Sequence, residues 1–196
     1  MKPDSEFIIA ETRAWIDRAV IGLNLCPFAK AVQVKGLVRY VVSTATESEA
    51  LLEDLREELQ LLAATAPAKL DTTVLIHPQV LTDFVDYSLF LPTADKALKS
   101  LGLRGEIQIA SFHPDYTFGD SEPDDISNAT NRSPYPVLHL LRERSIDRAV
   151  AAFPDPEAIY ANNMRTLATL GQEGWESLRK QCRHDAERST GKKSVG

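Results

Sequence analysis

The sequence predicts an α/β fold: a small sandwich with at least three parallel strands in a βαβαβ core, flanked by N- and C-terminal helices. Three observations carry this. Short β-rich runs recur at 37–43, 72–76 and 106–112. Each successive pair is separated by a helical segment long enough for a parallel crossover, and such crossovers are almost always right-handed. The second run, Thr72-Thr73-Val74-Leu75-Ile76, is short and apolar, as a buried parallel strand is. The alternative is a ferredoxin-like or mixed sheet, in which an extended piece near 32–34 adds an antiparallel edge strand.

The elements follow in order. Ile9, Ile16, Val20 and Leu23 recur at helical spacing, with Glu11, Arg13, Asp17 and Arg18 on the polar face, so the chain opens with a helix ending near 22–24. Pro27 suits the first turn of a second helix and puts Cys26 at or beside its N-cap. Gly36 opens the first β-run. Thr46 and Glu49 have capping-box spacing, and Leu52, Leu55, Leu59 and Leu62 then mark an amphipathic helix. The second β-run closes at His77-Pro78. Residues 81–101 are mostly helical, with a break expected at Pro92, and the third β-run closes at His113-Pro114. After a loop over 115–132, Ser133-Pro134 reads as the N-cap and first turn of another helix that packs through Val137, Leu138, Leu141 and Ile146. A further helix starts near Pro156 and ends at Gly171, and a last helical piece holds Trp175 and Leu178. The reading is one domain over 1–182 and a flexible tail over 183–196.

Composition narrows the function class. One domain suits 196 residues, and a 43% hydrophobic fraction can fill a core. The net charge of −6 argues against a nucleic-acid partner, whose phosphates need clustered Lys and Arg. No apolar run approaches a membrane span, and the N-terminus has no signal-peptide pattern, so no membrane partner and a cytoplasmic location are expected. Cys26 and Cys182 form no disulfide framework and no CxxC pair. No G-x-G-x-x-G, P-loop or G-x-S-x-G string occurs, which disfavours nucleotide-cofactor and serine-hydrolase readings. The cofactor and the oligomeric state are left open.

The candidate site comes from the fold. Ligands of open parallel sheets bind beyond the carboxyl ends of the strands. There the sequence places Ser43-Thr44, His77-Pro78 and His113-Pro114-Asp115. Proline holds each preceding histidine in an extended conformation at the strand end. The bland reading is that both His-Pro pairs only terminate strands. The 115–132 loop mixes Tyr116 and Phe118 with carboxylates, as an ordered lid does. Arg132 and the backbone donors of the expected helix start suit an anion. Against that, Arg132 can simply pair with Asp124 or Asp125. His139, amid Leu138, Leu140 and Leu141, reads more readily as a packing residue.

The strings IGLNLCPFAK, TTVLIHP, IQIASFHPDYTF and TNRSPYPVLHLLRE resemble the bacterial DUF1415 family, over roughly Ile8 to Cys182. The resemblance implies no reaction. It implies that Cys26, Pro27, His77, Pro78, His113, Pro114, Asp115, Tyr116, Asn131, Arg132, Ser133, Tyr135 and His139 carry the family's motifs.

Three chemistries fit these residues. In the first, the chain is a small-molecule enzyme with Cys26 as a thiol nucleophile. His113 or His77 is the base, Asp115 or Asn131 orients it, and Arg132, Asn131, Ser133, Tyr135 and Tyr116 hold an anionic substrate. In the second, a metal-dependent, hydrolase-like enzyme draws ligands from His77, His113 and Asp115, with Cys26 or His139 in reserve. In the third, the same pocket binds a ligand or partner without catalysis.

Overall fold

The computed structural model describes residues 4–151, 155 and 158–191. Helix α1 (Ser5–Trp15) begins where the Asp4 carboxylate accepts the Glu6 N–H, and it runs into a π-helical segment, Ile16–Ile21. Asn24, at a φ of 55°, turns the chain into the six-residue α2 (Ala29–Val34). Strand β1 (Val38–Val42), helix α3 (Ser48–Ala64) and strand β2 (Thr72–Ile76) follow. Glu47, not Thr46, is the N-cap of α3, and no side chain caps it, so the expected capping box is not formed. Helix α4 (Phe84–Ser100) is capped by Asp83 and passes through Pro92 as one element. Strand β3 (Ile107–Phe112) leads into the long loop, which contains a 3-10 turn at Ile126–Asn131. Strand β4 (Val137–Arg142), α5 (Glu143–Ala151) and α6 (Ala158–Thr190) complete the chain.

The sheet order is β1-β2-β4-β3. Strands β1 and β2 pair in parallel, and β4 pairs antiparallel with both β2 and β3. The parallel βαβαβ core is therefore not formed. The first three strands share a direction, but β4 lies between β2 and β3 and leaves one parallel pair in a mixed sheet. No strand forms at 32–34, which belongs to α2. The segment expected as a helix after Ser133-Pro134 is β4. Val137, Leu138 and Leu140 are each at most 1% exposed, and a central strand buried on both faces has an apolar run that periodicity cannot separate from a buried helix.

The two faces are covered differently. One takes α3 and α4, whose Leu51, Leu55, Leu59, Leu62 and Tyr87 pack on Leu75, Leu138 and Leu140. Each side chain buried this way contributes roughly 1.5–3 kcal/mol. The other face takes α1 and α6, with Ile8, Trp15, Leu167 and Trp175 packed against Val74, Ile76 and Val137. Helix α6 bends at Gly171, whose φ of 65° suits glycine, and then continues to Thr190. Residues 183–190, assigned by the sequence to a tail, are therefore helical. They are anchored by buried Ala186 and by Asp185, which accepts from Arg18 Nε at 2.5 Å. The helix start expected at Pro156 and the end of the tail lie outside the described residues. Among the described residues, no helix is long and apolar enough to cross a membrane.

Candidate functional site

The two His-Pro strand ends do converge, and they converge on a packed plug. Both imidazoles are fully buried, on the face under α4. The Tyr87 ring lies 5.7 Å from that of His77 and 5.2 Å from that of His113. Phe84 closes on His113 at 5.4 Å. The Tyr87 hydroxyl accepts from Phe112 N–H at 3.1 Å and donates to the Val137 carbonyl at 2.8 Å, so it bridges the last residue pair of the β3–β4 ladder. His77 Nδ1 lies 2.9 Å from the Val80 carbonyl, so it carries the proton and Nε2 is left as an acceptor. His113 Nδ1 accepts from Asp115 N–H at 3.1 Å, which puts its proton on Nε2. Neither Nε2 has a hydrogen-bond partner among the described residues. Burial lowers His77 to about 4, and His113 also falls through burial, partly offset by Asp115. Both rings are neutral at pH 7.

The loop residues hold one another. Asn131 Nδ2 donates to the Ser111 carbonyl at 3.1 Å, and Ser133 Oγ donates to the Tyr135 carbonyl at 2.6 Å. Tyr116 packs between Phe84 and Phe118, with ring centroids 5.1 Å from each. Arg132 pins the loop through carbonyls rather than through Asp124 or Asp125. Its Nε donates to Tyr116 at 3.2 Å and its Nη2 to Pro123 at 2.5 Å. Buried Asn128, which the sequence reading did not use, anchors the loop centre by accepting from Phe118 N–H and Ser121 Oγ and donating to Glu122. The backbone donors expected at a helix start are not available for an anion, because the chain there enters β4. Asp115 is exposed. Among the described residues, no three His, Cys, Asp or Glu side chains cluster as a metal-ligand set, so His77, His113 and Asp115 do not form one.

Cys26 is not with these histidines. It lines a cavity of about 910 Å³ on the opposite face of the sheet. Strand register explains the position. On that face, Val74 of β2, His139 of β4 and Ala110 of β3 form one row, and Thr72, Leu141 and Gln108 form the next. The second row lies at the amino ends of β2 and β3, and the first lies midway along them. Trp15, Val20, Phe28 and Val32 wall one side, and Ser145, Ile146 and Ala149 the other. Neither α2 nor α5 has a single buried residue, and both helices line this cavity.

The cavity is apolar with few polar groups. His139 Nε2 lies 2.7 Å from Thr72 Oγ1, and that hydroxyl donates to the Leu140 carbonyl at 2.6 Å. The imidazole therefore donates from Nε2, and its Nδ1 lone pair has no partner among the described residues. Burial lowers His139 to about 4, so the ring is neutral at pH 7. Among the charged groups that line it, Asp71 accepts from Ser145 Oγ at 2.6 Å and Arg142 donates to the Leu62, Thr65 and Leu70 carbonyls, while Lys35 makes no ion pair within 4.0 Å among the described residues. Burial pushes the Cys26 thiol up, and that outweighs the Phe28 and Ala29 N–H groups that favour thiolate.

A family model described as a protein of unknown function, DUF1415, matches residues 7–177. The chain belongs to the DUF1415 family. No curated protein and no solved structure matches it. The DUF1415 match takes in the histidine plug, the loop and the cavity walls from Trp15 to Ala149. Sequence reasoning missed Trp15, Thr72 and Ala110 as cavity residues. The one available signal was a small alanine between Ile109 and Ser111, in a strand otherwise built of larger residues.

Proposed function

We propose that this DUF1415 protein binds a small molecule with an apolar, uncharged body in the cavity between the sheet and α1, α2 and α5. The carrying observation is a cavity of about 910 Å³, lined largely by apolar side chains, with a neutral histidine acceptor on its floor. Ligand sites are typically concave, largely apolar and provided with a few placed polar groups. The unpartnered Nδ1 of His139 suits a ligand hydroxyl or amide donor. A histidine held near 4 is a poor base at neutral pH, since catalytic bases work best with a pKa near the operating pH. A thiol held protonated by burial is likewise a poor nucleophile. Binding is therefore better supported than the thiol–imidazole reaction built on Cys26 and His113, or than the metal-dependent alternative.

Calorimetric titration with decanol tests the reading. The expected result is saturable binding of one molecule per chain, abolished by Ala110→Trp, which fills the cavity from its floor. His139→Phe keeps the ring shape and removes the acceptor, and should weaken decanol about fivefold, the worth of one ordinary hydrogen bond. Absence of saturable binding by the wild-type chain, or equal binding by Ala110→Trp, overturns the proposal.

A further inference from the structure

On the far side of Trp15 lies a second concavity of about 370 Å³, between the Ser133-Pro134-Tyr135 turn and α6. Trp15 lines both this cleft and the large cavity. The cleft gathers four cations, Arg132, Arg179, Lys180 and Arg183, against two carboxylates, Glu11 and Glu176. Glu11 is occupied, since it accepts the Tyr135 hydroxyl at 2.5 Å. None of the four cations makes an ion pair within 4.0 Å among the described residues. Arg132 is half-buried and spends its bonds on neutral carbonyls, leaving Nη1 unused. Burial lowers its pKa, partly offset by the Asp115 carboxylate, with a smaller lowering from Arg179. An independent observation points the same way. Trp175 lines the cleft and is 3% exposed, yet its Nε1–H has no partner among the described residues. An indole nitrogen and a guanidinium only donate. Apart from the exposed carboxylate of Glu176, the unpaired groups that line the cleft are donors or cations, which an acceptor-only oxyanion suits.

We infer that this cleft is an oxyanion site, and that it holds a phosphate or carboxylate at the end of the ligand whose apolar body lies beyond Trp15. The second half of the inference rests on the cavity reading above, and the first does not. The site gives α6 a ligand-binding role through residues beyond 177, where the family match ends. The ligand class it names is an amphipathic acid, with a chain or ring system on one side of Trp15 and an anionic head on the other.

The two tryptophans of the chain are Trp15 and Trp175, so intrinsic fluorescence reads the cleft directly. Inorganic phosphate, decanol, decyl phosphate and decanoate serve as probes. Saturable change with phosphate is expected, weakened at least about tenfold in the double variant Arg179→Gln/Arg183→Gln, because charge-assisted bonds are roughly twice as strong as neutral ones. The same variant should bind decanol as the wild type does, which shows that it is folded. Decyl phosphate or decanoate should bind at least about tenfold more tightly than decanol in the wild type and lose that margin in the variant. The better of the two identifies the head group. Decanol binding with no saturable phosphate response, or a phosphate response equal in both proteins, overturns the oxyanion site and leaves the cavity reading standing. A phosphate response without decanol binding overturns the cavity reading and the joined ligand, and upholds the site.

Discussion

The two faces of this sheet are built from similar residues and end in opposite states. Beneath α3 and α4 the face is filled, and Leu55, Leu75 and Leu140 have no exposed surface. Beneath α2 and α5 it is hollow, with Ala110 and His139 on the floor. The difference comes from the covering helices rather than the strands. Helices α3 and α4 have 17 residues each and turn leucines and aromatics inward at helical spacing. Helix α2 has six residues and α5 nine, and neither buries one. A sheet face covered by short helices keeps a void that a well-packed core would lose.

Truncation should break the symmetry most. Leu55→Ala on the filled face removes a fully buried side chain and leaves its own cavity, a loss of about 3–5 kcal/mol. Leu141→Ala on the hollow face enlarges a space already open and should cost less than about 1 kcal/mol. Urea unfolding of both variants measures this. Equal losses would mean that the hollow face is packed as tightly as the other.

Acid should act on both faces, through His77 and His113 under α4 and His139 in the cavity. His77 and His139 are both held near 4 when folded, against an ordinary value of 6.5. The unfolded chain therefore takes up protons first as pH falls. Their stabilisation is complete above about 6.5 and is lost progressively toward pH 4, by at most on the order of 3 kcal/mol for each ring. His139→Phe should flatten the stability–pH curve in that window by that one ring's share, as read by urea unfolding at several pH values. An unchanged slope would mean that His139 is well hydrated and the hollow face is wet.

What the sequence revealed divides along the same line. The three first strands were legible because their β-rich runs end in prolines and turns. The convergence of His77 and His113 was legible because equivalent strand ends meet in any such sheet. Their setting was not. Tyr87, which fills the space between them and ties Phe112 to Val137, comes from α4, and nothing in an isolated Tyr-Ser-Leu-Phe string points to a distant ladder. Strand β4 was hidden because a run apolar on both sides has no period. That one error also displaced the site, since the cavity floor is set by the register of β4. Cys26 and His139 were both picked out by their motifs, but only the register puts them in one cavity. Arg183 fell in the segment read as a flexible tail and Arg179 was not singled out, because Arg132 and Trp175 meet them only in the folded chain.

The smallest expected effect is the sharpest probe of the hollow face. Ala94 on α4 and Ala110 on β3 are the same residue facing opposite layers. Ala94 is 1% exposed inside the filled layer, so Ala94→Leu must displace neighbours and should cost about 1–3 kcal/mol. Ala110→Leu extends into open volume, where the added methylenes meet Trp15, Phe28 and Val32 across the void. It should change stability by less than about 1 kcal/mol, in the stabilising direction if the cavity is dry. Differential scanning of the two variants against wild type distinguishes the cases. A destabilisation of Ala110→Leu as large as that of Ala94→Leu would mean that α2 and α5 close on the sheet in solution, and that the volume assigned to a ligand is already occupied by the protein.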